Sequence, residues 1–181
     1  MTNEDLDRIF KETAEHRKEH ECGSYPYESA SILPDLIEKI KAKRILELGT
    51  GLGYTSSVMA ISNKDLHIDT IDRDLEHMKS AKKNWEDLGI SDQITSYSDK
   101  AEIILPELKG HYDVIFFDGH VPSMKFLLEF ERLLRRGGML VTANMFLRDK
   151  TGGKYMRALQ KPYRWSVSTI DDTAIATKLF E

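Results

Sequence analysis

The most informative segment of this chain is Arg44-Ile-Leu-Glu-Leu-Gly-Thr-Gly-Leu-Gly-Tyr54. A short apolar run containing one carboxylate, Glu47, leads directly into three glycines at alternate positions, Gly49, Gly51 and Gly53. Glycine has no β-carbon, so such a turn accepts positive φ angles and lets backbone N–H groups approach a bound molecule closely. We therefore predict a buried strand, a ligand-binding turn and a helix that begins at Tyr54.

A second acidic residue follows a second predicted strand. The apolar segment 66–71 ends at Asp72, about 20 residues beyond the glycines, where nucleotide-binding folds place the acid that holds ribose hydroxyls. The helix beginning at Tyr54 favours an anionic group at its first turn, and Glu47 suits an ammonium. These features predict a ligand with a nucleoside end and an amino-acid-like end. The G-x-G-x-G spacing, in place of G-x-G-x-x-G, favours S-adenosylmethionine over NAD.

Predicted helices and strands alternate along the rest of the chain. We predict helices over 3–19, 33–40, 54–61, 75–88, 100–108 and 124–134, with strands ending at 48 and 72 and over 94–97, 114–117 and 139–145. Segments 165–170 and 173–180 flank a two-residue turn and predict a hairpin. The fold class we expect is α/β: a Rossmann-like, doubly wound, mostly parallel sheet of about seven strands, with a C-terminal antiparallel hairpin and helices on both faces. We expect one domain over 1–181, with N-terminal helices over 1–42 and the core over 43–181.

Composition indicates an enzyme-sized globule. The 181 residues are 40% hydrophobic and 31% charged, and the net charge of −4 argues against a surface that generally coats nucleic acid. No apolar run approaches the roughly 20 residues of a membrane span, and Met1 to Phe10 does not resemble a secretory signal, so we expect a cytoplasmic protein with no membrane partner. Cys22 is the only cysteine, which excludes an intrachain disulfide, and we assign it no role. The apolar side chains at 6, 9 and 10 could pack on their own domain or across a homodimer.

One late segment is strongly basic. Between positions 148 and 164 a single acid, Asp149, accompanies six cations: Arg148, Lys150, Lys154, Arg157, Lys161 and Arg164. The segment follows a strand that should end beside the ligand. Two interpretations stay open, a solvated connector and a phosphate-binding lip.

Four motifs together resemble a known family. Segments 47–55, 70–74, 112–118 and 136–144 are similar, in the same order, to motifs of the small S-adenosylmethionine-dependent O-methyltransferases of the catechol and caffeoyl-CoA type. The resemblance implies that S-adenosylmethionine is the cofactor and that its methionine end, ribose and adenine are held in turn along the chain. The implied cofactor-binding residues are Glu47, Gly49, Thr50, Gly51, Gly53, Tyr54, Thr55, Asp72, Arg73, Lys100, Ala101, Glu102 and Asp118.

The implied catalytic residues depart from the family. In that family, Mg²⁺ is bound by an aspartate after the fourth strand and by an aspartate–asparagine pair after the fifth. Asp118 and Asn144 match the first and third members, but Ala143 occupies the second position, so a divalent metal site here would lack one carboxylate. Val121 also replaces the lysine usually found three residues after the first aspartate.

His120 is then the most accessible candidate base, oriented by Asp118. A lone histidine at a strand end is also often a hydrogen-bonded loop residue, and both interpretations stay open.

Three functional hypotheses follow. The first is S-adenosylmethionine-dependent O-methylation of a hydroxyl on a small molecule or on a modified RNA nucleotide, since a related bacterial group methylates a hydroxylated wobble uridine in tRNA. The second is a non-catalytic S-adenosylmethionine-binding module that acts through protein contacts. The third is an NAD-dependent oxidoreductase, although its G-x-G-x-x-G fingerprint is absent. The acceptor itself cannot be predicted from the sequence.

Overall fold

In the computed structural model, which describes residues 3–119, 122–145, 150–161 and 163–181, seven strands form one sheet. The strands are β1 Arg44–Leu48, β2 His67–Ile71, β3 Ile94–Tyr97, β4 Tyr112–Phe117, β5 Leu134–Thr142, β6 Trp165–Ile170 and β7 Thr173–Lys178. Their order across the sheet is β3-β2-β1-β4-β5-β7-β6. Strands β1 to β5 run parallel, whereas β7 is antiparallel to both β5 and β6. The predicted fold class, including the C-terminal hairpin, is confirmed.

Helices cover both faces of this sheet. They are α1 Asn3–His20, α2 Ile32–Ile40, α3 Tyr54–Ser62, α4 Leu75–Leu88, α5 Ala101–Glu107, α6 Met124–Leu133 and α7 Lys150–Leu159. Buried side chains of α1 to α4 share one apolar cluster with one face of the sheet, and those of α5 to α7 share a second cluster with the other face. The sheet therefore lies between two apolar layers, which is the doubly wound arrangement.

Helix α4 shows how local sequence sets an element's ends. The Asp74 carboxylate accepts hydrogen bonds from the backbone N–H groups of Glu76 and His77, which are among the first N–H groups without a helical partner. Gly89 ends the helix at φ 67°, a left-handed conformation that costs glycine little. The predicted bounds 75–88 are confirmed.

Strand β5 differs from its prediction at both ends. It begins at Leu134 rather than at 139, because Leu134 pairs with Tyr112 across an irregularity in the β4–β5 register. It ends at Thr142 rather than at 145, since Asn144 has φ 55° and leaves the sheet. The Arg-Arg-Gly-Gly sequence at 135–138 is typical of a turn, which concealed the early start.

Helix α7 was not predicted. Its Tyr155 and Leu159 are buried against the sheet, and the Tyr155 hydroxyl bonds to the Thr142 hydroxyl at 2.7 Å. Residues 150–159 are therefore helical, while the cations Lys154 and Arg157 are exposed, as the solvated interpretation expects. Adjacent glycines at 152 and 153 and the high charge obscured the helical period of its apolar residues. Arg148 and Asp149 lie outside the described residues.

The apolar side of α1 faces its own chain. Ile9 is completely buried in the first apolar cluster, and the Phe10 ring meets the Tyr54 ring edge-on at 5.2 Å between centroids. Within the described part of the chain, no helix is long and apolar enough to cross a bilayer.

Candidate active site

A crevice lies at the carboxyl ends of the parallel strands, where strand order reverses between β1 and β4. Its volume is about 1160 Å³, slightly above the usual range for small-molecule sites. Residues that follow β1, β2, β3, β4 and β5 all contribute to its walls. Open parallel sheets place their ligands at this edge.

The three glycines of the turn after β1 are required by close contacts. All three have positive φ, at 95° for Gly49, 51° for Gly51 and 83° for Gly53. A β-carbon at Gly49 would lie 2.8 Å from the Asp118 carbonyl oxygen, and one at Gly53 would lie 2.7 Å from the Trp85 indole nitrogen. The turn thus combines left-handed backbone with packing that leaves no room for a side chain.

Asp72 is anchored to this turn. One of its carboxylate oxygens accepts a hydrogen bond from the Gly51 N–H, and the other accepts from the Asp74 N–H, each at 2.9 Å. Burial alone would raise the pKa of Asp72, but the His77 ring and these two backbone groups outweigh it and hold the pKa below its ordinary value. Asp72 is therefore a fixed anion in the crevice wall.

Glu47 lies behind the crevice surface. Its side chain is fully buried, and its Oε2 accepts a 2.6 Å hydrogen bond from the Thr70 hydroxyl, which in turn lies 2.6 Å from the Thr50 hydroxyl. Thr50 does line the crevice, so Glu47 reaches the turn through two hydroxyls. Its Oε1 is buried with no hydrogen-bond partner among the residues described, and burial raises the pKa of Glu47 to about 8.

Asp118 and Asn144 meet at the opposite wall. The Asn144 amide donates a hydrogen bond to an Asp118 carboxylate oxygen, from a left-handed backbone position that asparagine tolerates. Burial raises the pKa of Asp118 to about 7, and the hydrogen bond from Asn144 opposes this shift. Ala143 is completely buried and offers no side-chain oxygen. The donor set therefore supplies one carboxylate where a Mg²⁺ site needs several oxygens, and a divalent metal does not fit these residues.

Most of the residues predicted to bind the cofactor line the crevice. They are Gly49, Thr50, Gly51, Tyr54, Thr55, Asp72, Arg73, Lys100, Ala101, Glu102 and Asp118, and Asn144 joins them. Gly53 caps α3 beneath the turn and Glu47 is buried behind it. His120 and Val121 lie outside the described residues, so the role of His120 stays a prediction.

Several lining residues were missed by the sequence reasoning. Segment 22–26 after α1 lines the crevice, as do His77 from α4 and Phe126 from α6. The break at Gly23 to Pro26 indicated a loop there, but no spacing rule connects a loop before β1 with the carboxyl ends of later strands. His77 carried a weak signal, since it follows Asp72 by five residues at the start of a helix.

This chain is similar to proteins of one known family. The O-methyltransferase family profile matches residues 2–155. A catechol O-methyltransferase of Niastella koreensis is 34% identical over 119 residues, which are 63% of this chain and 54% of that protein, so the chain spans about half of that relative's length.

Two solved structures share the fold. The O-methyltransferase TomG of Streptomyces achromogenes, involved in tomaymycin synthesis and solved with S-adenosylmethionine, is 20% identical at a TM-score of 0.86, covering 99% of this chain and 92% of its own. An O-methyltransferase of Bacillus cereus, solved with S-adenosylhomocysteine, is 16% identical at a TM-score of 0.83, covering 98% and 92%. With the profile matched over more than half of its residues, this chain belongs to the O-methyltransferase family.

Proposed function

We propose that this protein is an S-adenosylmethionine-dependent methyltransferase that methylates a hydroxyl of a small molecule. The observation that carries the proposal is the anchored pair of Asp72 and the glycine turn, joined by the Gly51 N–H bond, at the edge of the sheet where its strand order reverses. The family match supports the same activity and gives no support to the oxidoreductase hypothesis.

The residues present fit the proposed cofactor. Gly49 and Gly51 present only backbone to the crevice, and behind them one oxygen of the Glu47 carboxyl group has no hydrogen-bond partner among the described residues. We assign the methionine end to this turn, with Glu47 acting from behind through Thr70 and Thr50 rather than by direct contact. Asp72 would hold the ribose hydroxyls, and segment 100–102 would contact the adenine.

When bound, S-adenosylmethionine supplies an electrophilic methyl group on a sulfonium. The protein's task is to hold an acceptor oxygen in line with that methyl, and orientation of this kind accounts for a large part of such rate enhancements. The second task is to take the hydroxyl proton. Asp118 at the end of β4 and His120 two residues later are our candidates for it. We derive no step through a metal, because Ala143 leaves the donor set one carboxylate short.

The crevice favours a flat, apolar acceptor. Phe117 and Phe126 line it together with Asp118, and the two rings lie 6.1 Å apart between centroids. An aromatic ring carrying a hydroxyl would pack against such rings while presenting its oxygen to the carboxylate. By contrast, the exposed cations of α7 are absent from the described crevice wall, so an RNA acceptor has weaker support.

Calorimetric titration tests cofactor binding. S-adenosylmethionine and S-adenosylhomocysteine should bind the wild type with and without Mg²⁺, whereas NAD should not. Asp72→Asn should weaken both S-adenosyl compounds at least tenfold, since it removes the charge that accepts ribose hydroxyls. The matched control is Asp92→Asn, an exposed aspartate outside the crevice. Failure of both compounds to bind the folded wild type would refute the proposal.

Transfer of a labelled methyl group tests the reaction. We expect product from phenols or catechols in the presence of a chelator and no product from tRNA. If only tRNA is methylated, the acceptor is RNA and not a small molecule. A salt-sensitive loss of methylated tRNA in Arg157→Glu would then show that α7 contacts the phosphates. Cofactor binding without transfer to any acceptor would favour the non-catalytic module.

A further inference from the structure

A cluster of metal-ligating side chains lies at the rim of the crevice, away from Asp118 and Asn144. His16 lies on α1, Cys22 follows the end of α1, and His77 lies in the first turn of α4. One ligand atom from each of the three lies within 4.8 Å of the others. Two segments far apart in sequence thus bring two imidazoles and a thiol together.

The ring of His77 is already oriented for a metal ligand. Its Nδ1 lies 3.6 Å from the Asp72 carboxylate, and its buried Nε2 lies 3.9 Å from the Asp74 carboxylate, with no hydrogen-bond partner among the described residues. The residue is only 7% exposed. Metal-bound histidines commonly point one nitrogen at a carboxylate, which fixes the tautomer, and use the other for the metal. A buried ring nitrogen without a partner is costly unless something binds it.

The ligand set selects the class of ion. Imidazole and thiolate suit Zn²⁺ and other late first-row metals, while Mg²⁺ requires oxygen ligands. Zinc bond lengths place tetrahedral ligand atoms roughly 3.3 to 3.8 Å apart. The ligand atoms therefore need to approach one another by at most about 1.5 Å, which rotation of the half-buried His16 and Cys22 side chains can accomplish.

We propose that His16, Cys22 and His77 form a zinc site that ties the end of α1 to the start of α4. Cys22 and His77 both line the crevice, so the proposed site borders it. The site uses none of the residues assigned to methyl transfer, apart from Asp72 as the partner of His77. Its occupancy would therefore be communicated to the ribose-binding acid through one side chain.

Cobalt substitution gives a direct test. Tag-free, full-length protein freed of metal by a chelator is titrated with Co²⁺, followed by its absorption spectrum. We expect one equivalent to produce a thiolate-to-cobalt charge-transfer band together with the visible bands of tetrahedral Co²⁺, and Zn²⁺ but not Mg²⁺ to remove them. Because Cys22 is the only cysteine, the charge-transfer band reports on that residue alone.

Variants assign the ligands. Cys22→Ser should abolish the charge-transfer band, and His16→Ala and His77→Ala should each weaken Co²⁺ binding at least tenfold. His111→Ala is the matched control, since this exposed histidine precedes β4 at the opposite edge of the sheet and should bind as the wild type does. Circular dichroism of each variant separates lost ligation from lost folding.

Two results would overturn the proposal. One is a folded wild type that shows no charge-transfer band at one equivalent of Co²⁺, a result that does not depend on any variant's folding. The other is a band that persists in Cys22→Ser. Neither measurement involves S-adenosylmethionine, so failure here leaves the proposed methyltransferase function standing.

Discussion

Glu47→Gln should change the stability of the ligand-free protein in a strongly pH-dependent way. The carboxyl group is completely buried, one oxygen accepts a hydrogen bond from Thr70, and the other has no hydrogen-bond partner among the described residues. Burial raises the pKa of Glu47 from 4.5 to about 8. The folded chain therefore keeps a proton on Glu47 at pH values where the unfolded chain has released it.

The sign and size follow from proton linkage. An acid whose pKa is raised by folding contributes its full stability below about pH 4.5 and loses it as the pH rises towards 8. The loss is about 1.4 kcal/mol per pH unit, or roughly 3 kcal/mol by pH 7 and 5 kcal/mol by pH 8. Glutamine does not titrate, so the variant escapes this loss. Its buried amide N–H lacks an acceptor, at a pH-independent cost of about 1 to 3 kcal/mol.

The two stability curves should therefore cross. The variant should be the less stable protein at pH 5 and the more stable one at pH 8, as measured by urea denaturation of the ligand-free proteins at four pH values. Glu107→Gln, a change at an exposed glutamate, should alter the free energy of unfolding by less than about 0.5 kcal/mol throughout. A difference between Glu47→Gln and the wild type that stays constant from pH 5 to 8 would refute the reasoning.

Three further changes have definite expectations. Gly53→Ala should lower the free energy of unfolding by about 3 kcal/mol, because the new β-carbon would clash with the Trp85 indole ring and the backbone has positive φ. Gly89→Ala is the control, since Gly89 also has positive φ but has nothing within 4 Å of an added β-carbon. In the same denaturation assay it should lower the free energy of unfolding by only about 1 kcal/mol. Tyr112→Phe removes a 2.6 Å hydrogen bond to buried Asp69 and should cost about 1 to 3 kcal/mol while leaving cofactor affinity unchanged in calorimetry. His120→Ala should lower kcat for methyl transfer about 100-fold or more and leave the affinity for S-adenosylmethionine unchanged. An unchanged kcat would show that His120 is not the base.

Local sequence predicted the elements that bear strong local signals. The glycine turn, Asp72 after β2 and the capped helix α4 each lie within a few residues of the feature that reveals them. The early start of β5 could not be found this way, because its first residues pair with Tyr112 more than twenty positions earlier. Helix α7 escaped for a related reason, since burial against the sheet overrides its weak helical propensity.

The fold class, the family resemblance, the glycine turn and the acid after β2 could all be predicted from the sequence, because they depend on residue type and on short spacings. Only the tertiary structure shows that Glu47 lies behind Thr70 and Thr50 and that the segment after α1 lines the crevice. It also decided that Cys22, without a role in the sequence, lies beside His16 and His77. Burial and contacts between distant segments set a carboxyl group's pKa and a thiol's neighbours, and neither is encoded in any short stretch of chain.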